Sequence, residues 1–185
     1  MFLGKNVNRA MRRVAGFSMI ELLVAVLVMG IGVLGVTGLQ MVSLQNNRDA
    51  LLRSEAIQLA YDILDKIRVN PGVPAGAGVL GQNYDGVDIG DVPVAPTDCV
   101  ANQCNAGQMA GFDIALWKCS LGAFNENNVC SDLRDDTLIP AVDDRPGLPN
   151  GDGSIEVGAG GVITVTVQWN GFNNVAQTIA IESQG

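Results

Sequence analysis

The chain has 185 residues, of which 48% are hydrophobic and only 16% charged, with a formal net charge of −8; that is enough for one domain with a core plus an extra segment. It has no histidine, which excludes Ser-His-Asp and Cys-His catalysis and every His-ligated metal site. The balance is acidic and there is no basic stripe, so nucleic acid is not an expected partner, because phosphate neutralisation needs clustered Lys and Arg.

The first sixteen residues carry Lys5, Arg9, Arg12 and Arg13 and no acid; without them, seven basic residues face nineteen acidic ones, a net charge of −12. The run from Leu22 to Leu39 is eighteen residues long, with Thr37 its only classically polar member. At ~1.5 Å per residue it spans ~27 Å, close to the thickness of a bilayer core. A secretory signal has a shorter apolar region, ~7–15 residues, and ends in an Ala-x-Ala-like cut site. Thr37-Gly38-Leu39-Gln40-Met41 matches that poorly, and no lipobox cysteine is present. The segment is expected to be retained, with the N-terminus in the cytoplasm and the rest sent outward.

Glu21 does not fit a plain anchor. A carboxylate carried toward the bilayer centre costs about 2–3 kcal/mol even on lenient scales. Ser18-Met19-Ile20-Glu21 is a capping-box pattern, so Glu21 at the membrane boundary is one reading. The other begins from the hexapeptide Gly16-Phe17-Ser18-Met19-Ile20-Glu21 in its setting, after a short basic leader and before an apolar run. It resembles the type III signal of type IV pilins and pseudopilins. The resemblance implies that a prepilin peptidase and methyltransferase cuts between Gly16 and Phe17 and methylates the new amine of Phe17. It also implies that Glu21 pairs in a filament with the amine of a neighbouring subunit. Such a pair sets axial register, since any other register buries a charge alone.

Gly30, Gly32, Gly35 and Gly38 interrupt the apolar run. Each weakens a helix by roughly 1 kcal/mol relative to Ala, and a soft stretch from Gly30 to Gly38 is expected. Beyond the membrane, Leu44, Leu52, Ala56, Leu59, Ala60, Ile63 and Ile67 recur mostly at three- and four-residue steps, one face of a helix. Asp62 and Lys66 form a favourable (i, i+4) pair. Asn70-Pro71-Gly72 stops the helix. From about Ser18 to Val69 it is ~78 Å long, more than a bilayer needs.

Residues 71–98 read as a solvated connector in which short strands can hide. Asp85, Asp88, Asp91 and Asp98 lack the liganding order of an EF-hand. Cys99, Cys104, Cys119 and Cys130 are spaced Cys-x4-Cys, fourteen residues, then Cys-x10-Cys, without the close pairs of a zinc ribbon. Downstream of an export signal they are expected as disulfides. Three connectivities are open, with local pairing, Cys99 to Cys104 and Cys119 to Cys130, preferred. A second helix is expected over 106–121, with Met109, Phe112, Leu116 and Cys119 as its apolar stripe and Trp117 beside it. Toward the C-terminus, Ser154–Val157 starts a strand. Val162–Trp169 alternates, and Asn170-Gly171 marks a hairpin turn into Val175–Ile181. Asn150, Asp152, Ser154 and Glu156 invite a calcium reading, but Leu148 and Ala159 occupy the end positions where acidic ligands belong, so no metal is expected.

The chain thus divides into a leader (1–16), an apolar membrane or filament-core helix (17–44), an amphipathic continuation (45–70), a connecting region (71–149) and an antiparallel sheet (150–185). Ser43–Asn47, Leu59–Pro71, Gln108–Lys118 and Gly161–Trp169 are similar to minor pilins of the PilV type. Major pilins of the family usually bridge two cysteines near the C-terminus, and here none follows Cys130. The resemblance implies an α+β type IV pilin fold: a long N-terminal α-helix packed on a C-terminal antiparallel β-sheet, with a connecting αβ-region. It implies a structural, non-catalytic subunit without cofactor. Its partners would be other minor pilins, the major pilin and the inner-membrane assembly platform. It would sit in the inner membrane of a Gram-negative bacterium as a single pass, with its C-terminal domain in the periplasm, before entering the pilus at the cell surface. A type II secretion pseudopilin of the I type and a membrane-anchored periplasmic binding domain are the alternatives.

Overall fold

The computed structural model describes residues 16–70, 81–158 and 160–184. Leader residues 1–15 and connector residues 71–80 lie outside them. The chain divides into two compact units, one ending at Leu44 and the other beginning at Gln45, and helix α1 (Met19–Val69) contributes to both.

In the first unit the helix starts where the sequence stops supplying alternatives to it. The Ser18 carbonyl accepts the N–H groups of Glu21 at 3.0 Å and Leu22 at 3.3 Å. An eighteen-residue window of α1 reaches a mean hydropathy of 2.6 and none of it is buried. By length and composition the helix can cross a membrane. The helix is unbroken through Gly30, Gly32, Gly35 and Gly38. Thr37, the one hydroxyl of the run, donates from Oγ1 to the Val33 carbonyl at 2.9 Å, so it presents no unpaired polar group.

The second unit has its own core. From α1 it takes Ala56, Leu59, Ala60, Ile63, Leu64 and Ile67, one face of the helix. The small side chains at 56 and 60 leave room beside the backbone, and the Trp117 indole N–H donates to the Leu59 carbonyl at 2.9 Å. Leu44, expected on this face, is exposed; it falls in the first unit, before the helix acquires anything to pack against there.

Helix α2 (Ala106–Leu121) opens with a full capping box. The Asn105 side chain accepts from the Gln108 N–H at 2.9 Å, and the Gln108 side chain accepts from the Asn105 N–H at 3.0 Å. Its buried surface is wider than one stripe because it lies between two apolar clusters. Ala110, Trp117 and Leu121 join the main core, while Ala115 and Cys119 join Cys130, Leu133 and Ile139. Met109 and Leu116, placed in the stripe from the sequence, are therefore only half-buried. Cys130 and Leu133 sit on helix α3 (Asn128–Asp135), whose first turn is held by the Asn127 side chain accepting the Val129 N–H at 2.8 Å. Eight residues are too few for a periodic signal, and α3 was not expected.

The connector also differs from its sequence reading. A short 3₁₀ turn, Gln82–Tyr84, buries Tyr84 completely. Val87 then pairs with Ile155 as an antiparallel bridge. Gly81 needs to be glycine: its φ is +80° and an added Cβ would lie 2.9 Å from Ile67 Cγ2. Gly81, Tyr84 and Val87 are buried, so this stretch is anchored to the core and is not a solvated link.

The sheet is antiparallel, in the order β1 (Asp152–Val157), β2 (Val162–Asn170), β3 (Ala176–Gln184). Its core face follows the alternation in β2: Ile163, Val165, Val167 and Trp169 are buried, and Val165 pairs with Ile155 on one side and Ile181 on the other. The Asn170-Gly171 turn is corrected. Asn170 is still paired, with Ala176, and the loop is longer. The left-handed residues that reverse the chain are Asn173 (φ 58°) and Asn174 (φ 59°), a conformation asparagine tolerates.

Gly153 is packed tightly. A Cβ there would lie 2.6 Å from Trp117 Cη2 and 2.7 Å from the Thr166 carbonyl oxygen. Gly153→Ala is expected to cost about 1–3 kcal/mol through overpacking, read as a lower denaturant midpoint. An unchanged midpoint would show that β1 and Trp117 can part freely.

Candidate functional site

The candidate assembly element is the start of α1. Gly16, Phe17 and Ser18 precede the helix without regular structure and are exposed. The Gly16–Phe17 peptide bond is accordingly open to an enzyme, and Phe17 is 78% exposed. Nothing lies within 4 Å of a Cβ built on Gly16, so the fold itself makes no demand for glycine there. Glu21 lies in the first turn, where the partial positive charge of the helix N-terminus favours a carboxylate. It is the only charged side chain between Phe17 and Asn47. The exposed apolar surface around it includes Leu23, Leu27, Ile31 and Leu34, and in water that surface would stay uncovered.

The second unit holds the four cysteines. The structure pairs Cys99 with Cys104 and Cys119 with Cys130. The first bridge closes a small loop ahead of the Asn105 cap. Asp98 organises that loop by accepting the N–H groups of Val100 at 2.9 Å and Ala101 at 3.2 Å. The second bridge is buried and joins α2 to α3.

Two polar networks went unnoticed in the sequence. In the first, Lys118 is 1% exposed, with Nζ 2.7 Å from Asp152 Oδ1 and 2.8 Å from the Asp88 carbonyl. The Asp152 carboxylate is completed by the N–H groups of Gly90 at 2.6 Å and Gly153 at 2.7 Å. One ion pair thus ties α2, β1 and the segment after Val87 together. The signal available was a lysine set between Trp117 and Cys119 in an otherwise apolar turn. In the second network, Tyr84 donates to Asp113 Oδ2 at 2.7 Å and accepts from Asn70 Nδ2 at 3.1 Å, while the same amide donates to the Ala106 carbonyl at 2.8 Å. Burial and then the bond to Asp113 push the Tyr84 phenol far above its ordinary value, so it remains a donor. The expected Lys66–Asp62 pair forms at 3.5 Å on the surface, where it contributes little.

Three acids of the Asp-rich segments have other partners. Asp85 accepts the Val157 N–H, Asp91 the Asp88 N–H, and Asp152 holds Lys118. Among the described residues, no three His, Cys, Asp or Glu side chains come together as a metal site. Arg134 donates to the Asn125 and Cys119 carbonyls, both at 3.1 Å, and partial burial lowers its pKa. These contacts brace the fold around α2 and α3.

Two comparisons bear on this arrangement. Residues 11–37 match the prokaryotic N-terminal methylation motif, which spans Gly16, Phe17, Glu21 and most of the apolar run. Residues 38–115 match the Tt1218-like family, described as type IV pilin Tt1218. No curated protein and no solved structure matches the chain. With adjoining matches from residue 11 to residue 115, an exposed apolar helix carrying one glutamate in its first turn, and a three-stranded antiparallel sheet, the chain bears the N-terminal methylation motif and is similar to type IV pilins of the Tt1218-like family over residues 38–115.

Proposed function

We propose that this chain is a minor pilin of the PilV type, acting with other minor pilins to initiate or tip a type IV pilus. The family is structural and non-catalytic, and its methylation motif implies processing by a prepilin peptidase and assembly with other pilins. The observation that carries the finer reading is the cysteine framework. Both bridges fall between Cys99 and Cys130, ahead of β1, and the sheet carries none, unlike the C-terminal bridge that the resemblance attaches to major pilins.

In this reading the peptidase cuts between Gly16 and Phe17, and the methylated amine of Phe17 becomes the cation that Glu21 pairs with in a neighbouring subunit. Before assembly the chain spans the inner membrane once with its second unit in the periplasm. The test is deletion followed by counting surface pili. Loss of pili with normal synthesis of the major pilin is the expected result. Normal piliation with failed protein secretion would transfer the chain to the pseudopilins. An N-terminal sequence starting at Met1 instead of methylated Phe17 would discard the pilin processing altogether.

The glycines add a prediction about the filament. No side chain braces them, and each costs the helix roughly 1 kcal/mol relative to Ala. Amides from Gly30 to Gly38 are expected to exchange faster in assembled filaments than those of residues 52–66, which contribute to a packed core. Equal protection in the two stretches would contradict a soft segment.

A further inference from the structure

The two edges of the sheet are finished differently. In an antiparallel ladder, successive residues direct their N–H and C=O groups to opposite neighbours. Gly158 donates to the Val162 carbonyl and Asn170 to the Pro149 carbonyl, so the even-numbered residues of β2 face the β1 side. Its odd-numbered residues therefore bond to β3, and by register their partners are Gln177, Ile179, Ile181 and Ser183. The outward groups of β1 are closed off: Ile155 donates to the Val87 carbonyl at 2.8 Å and Val157 to Asp85 Oδ1 at 2.8 Å. The outward groups of β3 belong to Ala176, Thr178, Ala180, Glu182 and Gln184, and among the described residues nothing pairs with them.

Unpaired edges are normally blunted by lysine, proline, a bulge or a covering element. Among the described residues, β3 has none of these. It runs nine residues in unbroken register, with Glu182 its only charge. Beside its first half lies a groove of about 320 Å³ lined by Asp49, Arg53, Trp169, Gln177, Thr178 and Ile179. The groove runs between the β2–β3 residues Trp169, Gln177, Thr178 and Ile179 and the α1 residues Asp49 and Arg53.

We propose that the open edge of β3 is a strand-addition site for an extended segment of a different subunit, one that alternates apolar residues with neutral or cationic ones. Main-chain bonds to the five outward residues supply affinity, and the groove and Glu182 supply selectivity. Charge argues against a second copy as the occupant. From Gln45 onward the chain has seven basic and eighteen acidic residues, and two such units repel each other. This inference does not rest on the minor-subunit reading, since an added strand has the same chemistry in any pilin.

The test uses the full-length chain in detergent and an eight-residue peptide alternating Val with Lys and Thr, followed by amide exchange. The amides of Thr178, Ala180 and Glu182 are expected to exchange freely in the chain alone and to become protected with the peptide, while those of Ile179 and Ile181 stay unchanged. A version with Glu for Lys should bind about tenfold more weakly, a difference of about 1.4 kcal/mol. Ala180→Pro removes one outward N–H and no β2–β3 bond, and should weaken the peptide by a similar factor. Glu182→Lys, which leaves the backbone intact, should reverse the preference between the two peptides even if the proline variant folds poorly. Slow outward amides in the free chain, or no added protection by the peptide, would overturn the proposal. So would protection that grows with chain concentration alone, since the occupant would then be a second copy.

Discussion

Glu21→Ala is expected to reach the membrane at the parental level and to enter filaments about 30- to 150-fold less well. The magnitude follows from a cost of about 2–3 kcal/mol for an unpaired charge in an apolar setting, with about 1.4 kcal/mol per factor of ten. In the proposed pairing, the charge left alone is the amine that cleavage before Phe17 would create. Insertion depends on the apolar run, which the substitution does not touch, and losing a carboxylate makes that run more apolar. Assembly depends on where the charge sits, because Glu21 is the only charged side chain from Phe17 to Asn47. Glu21→Gln separates the two roles open to this residue. It keeps a polar side chain at the third helical position but no negative charge, so a pure capping role predicts near-normal incorporation. A pairing role predicts a loss close to that of alanine. Equal incorporation of parent, Gln and Ala would remove Glu21 from the assembly mechanism.

Lys118→Met should lower the stability of the second unit by about 3–5 kcal/mol, the usual result of removing one partner from a buried ion pair. Methionine fills most of the lysine stem's volume, so the loss comes mainly from stranding Asp152. That carboxylate keeps the N–H groups of Gly90 and Gly153, which puts the expected cost near the lower end. Asp152→Leu strands an ammonium with only the Asp88 carbonyl and the Phe124 ring, 5.6 Å from Nζ, for company, and should cost more. The double variant should recover much of the loss, because a well-packed apolar pair often equals or exceeds a buried ion pair. Denaturant unfolding by near-UV circular dichroism measures all three. A double variant no better than the worse single one would mean that the pair acts through geometry that no apolar pair restores.

The parts of the fold that were readable from the sequence are those set by local rules. The bounds of α2 follow from Asn105 and Gln108 at one end and Gly122 at the other. The inner face of β2 follows from strict alternation. The amphipathic half of α1 shows its three- and four-residue steps, with Leu64 added and Leu44 removed by what each meets in space. The unreadable parts depend on partners far along the chain. Tyr84 is a core residue because Asp113 and Asn70 receive it, and nothing adjacent to it signals that. Asp152 looked like a member of an acid series until Lys118, thirty-four positions away, claimed it. The hairpin after Asn170 was misread because Asn-Gly is the commoner left-handed pair, whereas here Asn173 and Asn174 take that conformation. At the candidate assembly element, Glu21 stands out by chemistry, since a lone charge in an apolar run needs a reason, whereas the Gly16–Phe17 bond is legible only through the resemblance to type IV pilins.

The placement of the two disulfides also bears on how the subunit responds to tension. The bridges span sequence separations of 5 and 11 and hold Cα atoms 5.5 and 5.3 Å apart. A fully extended chain gains at most ~3.3–3.6 Å per residue, so the two closed loops withhold roughly 45 Å of contour length when the ends are pulled. Neither bridge links α1 to the sheet, so the force between them passes through non-covalent packing and the Trp117 and Lys118 contacts. A stretched subunit is therefore expected to yield at those contacts first and then to stop short of its full length, with the missing length released when reductant opens the bridges.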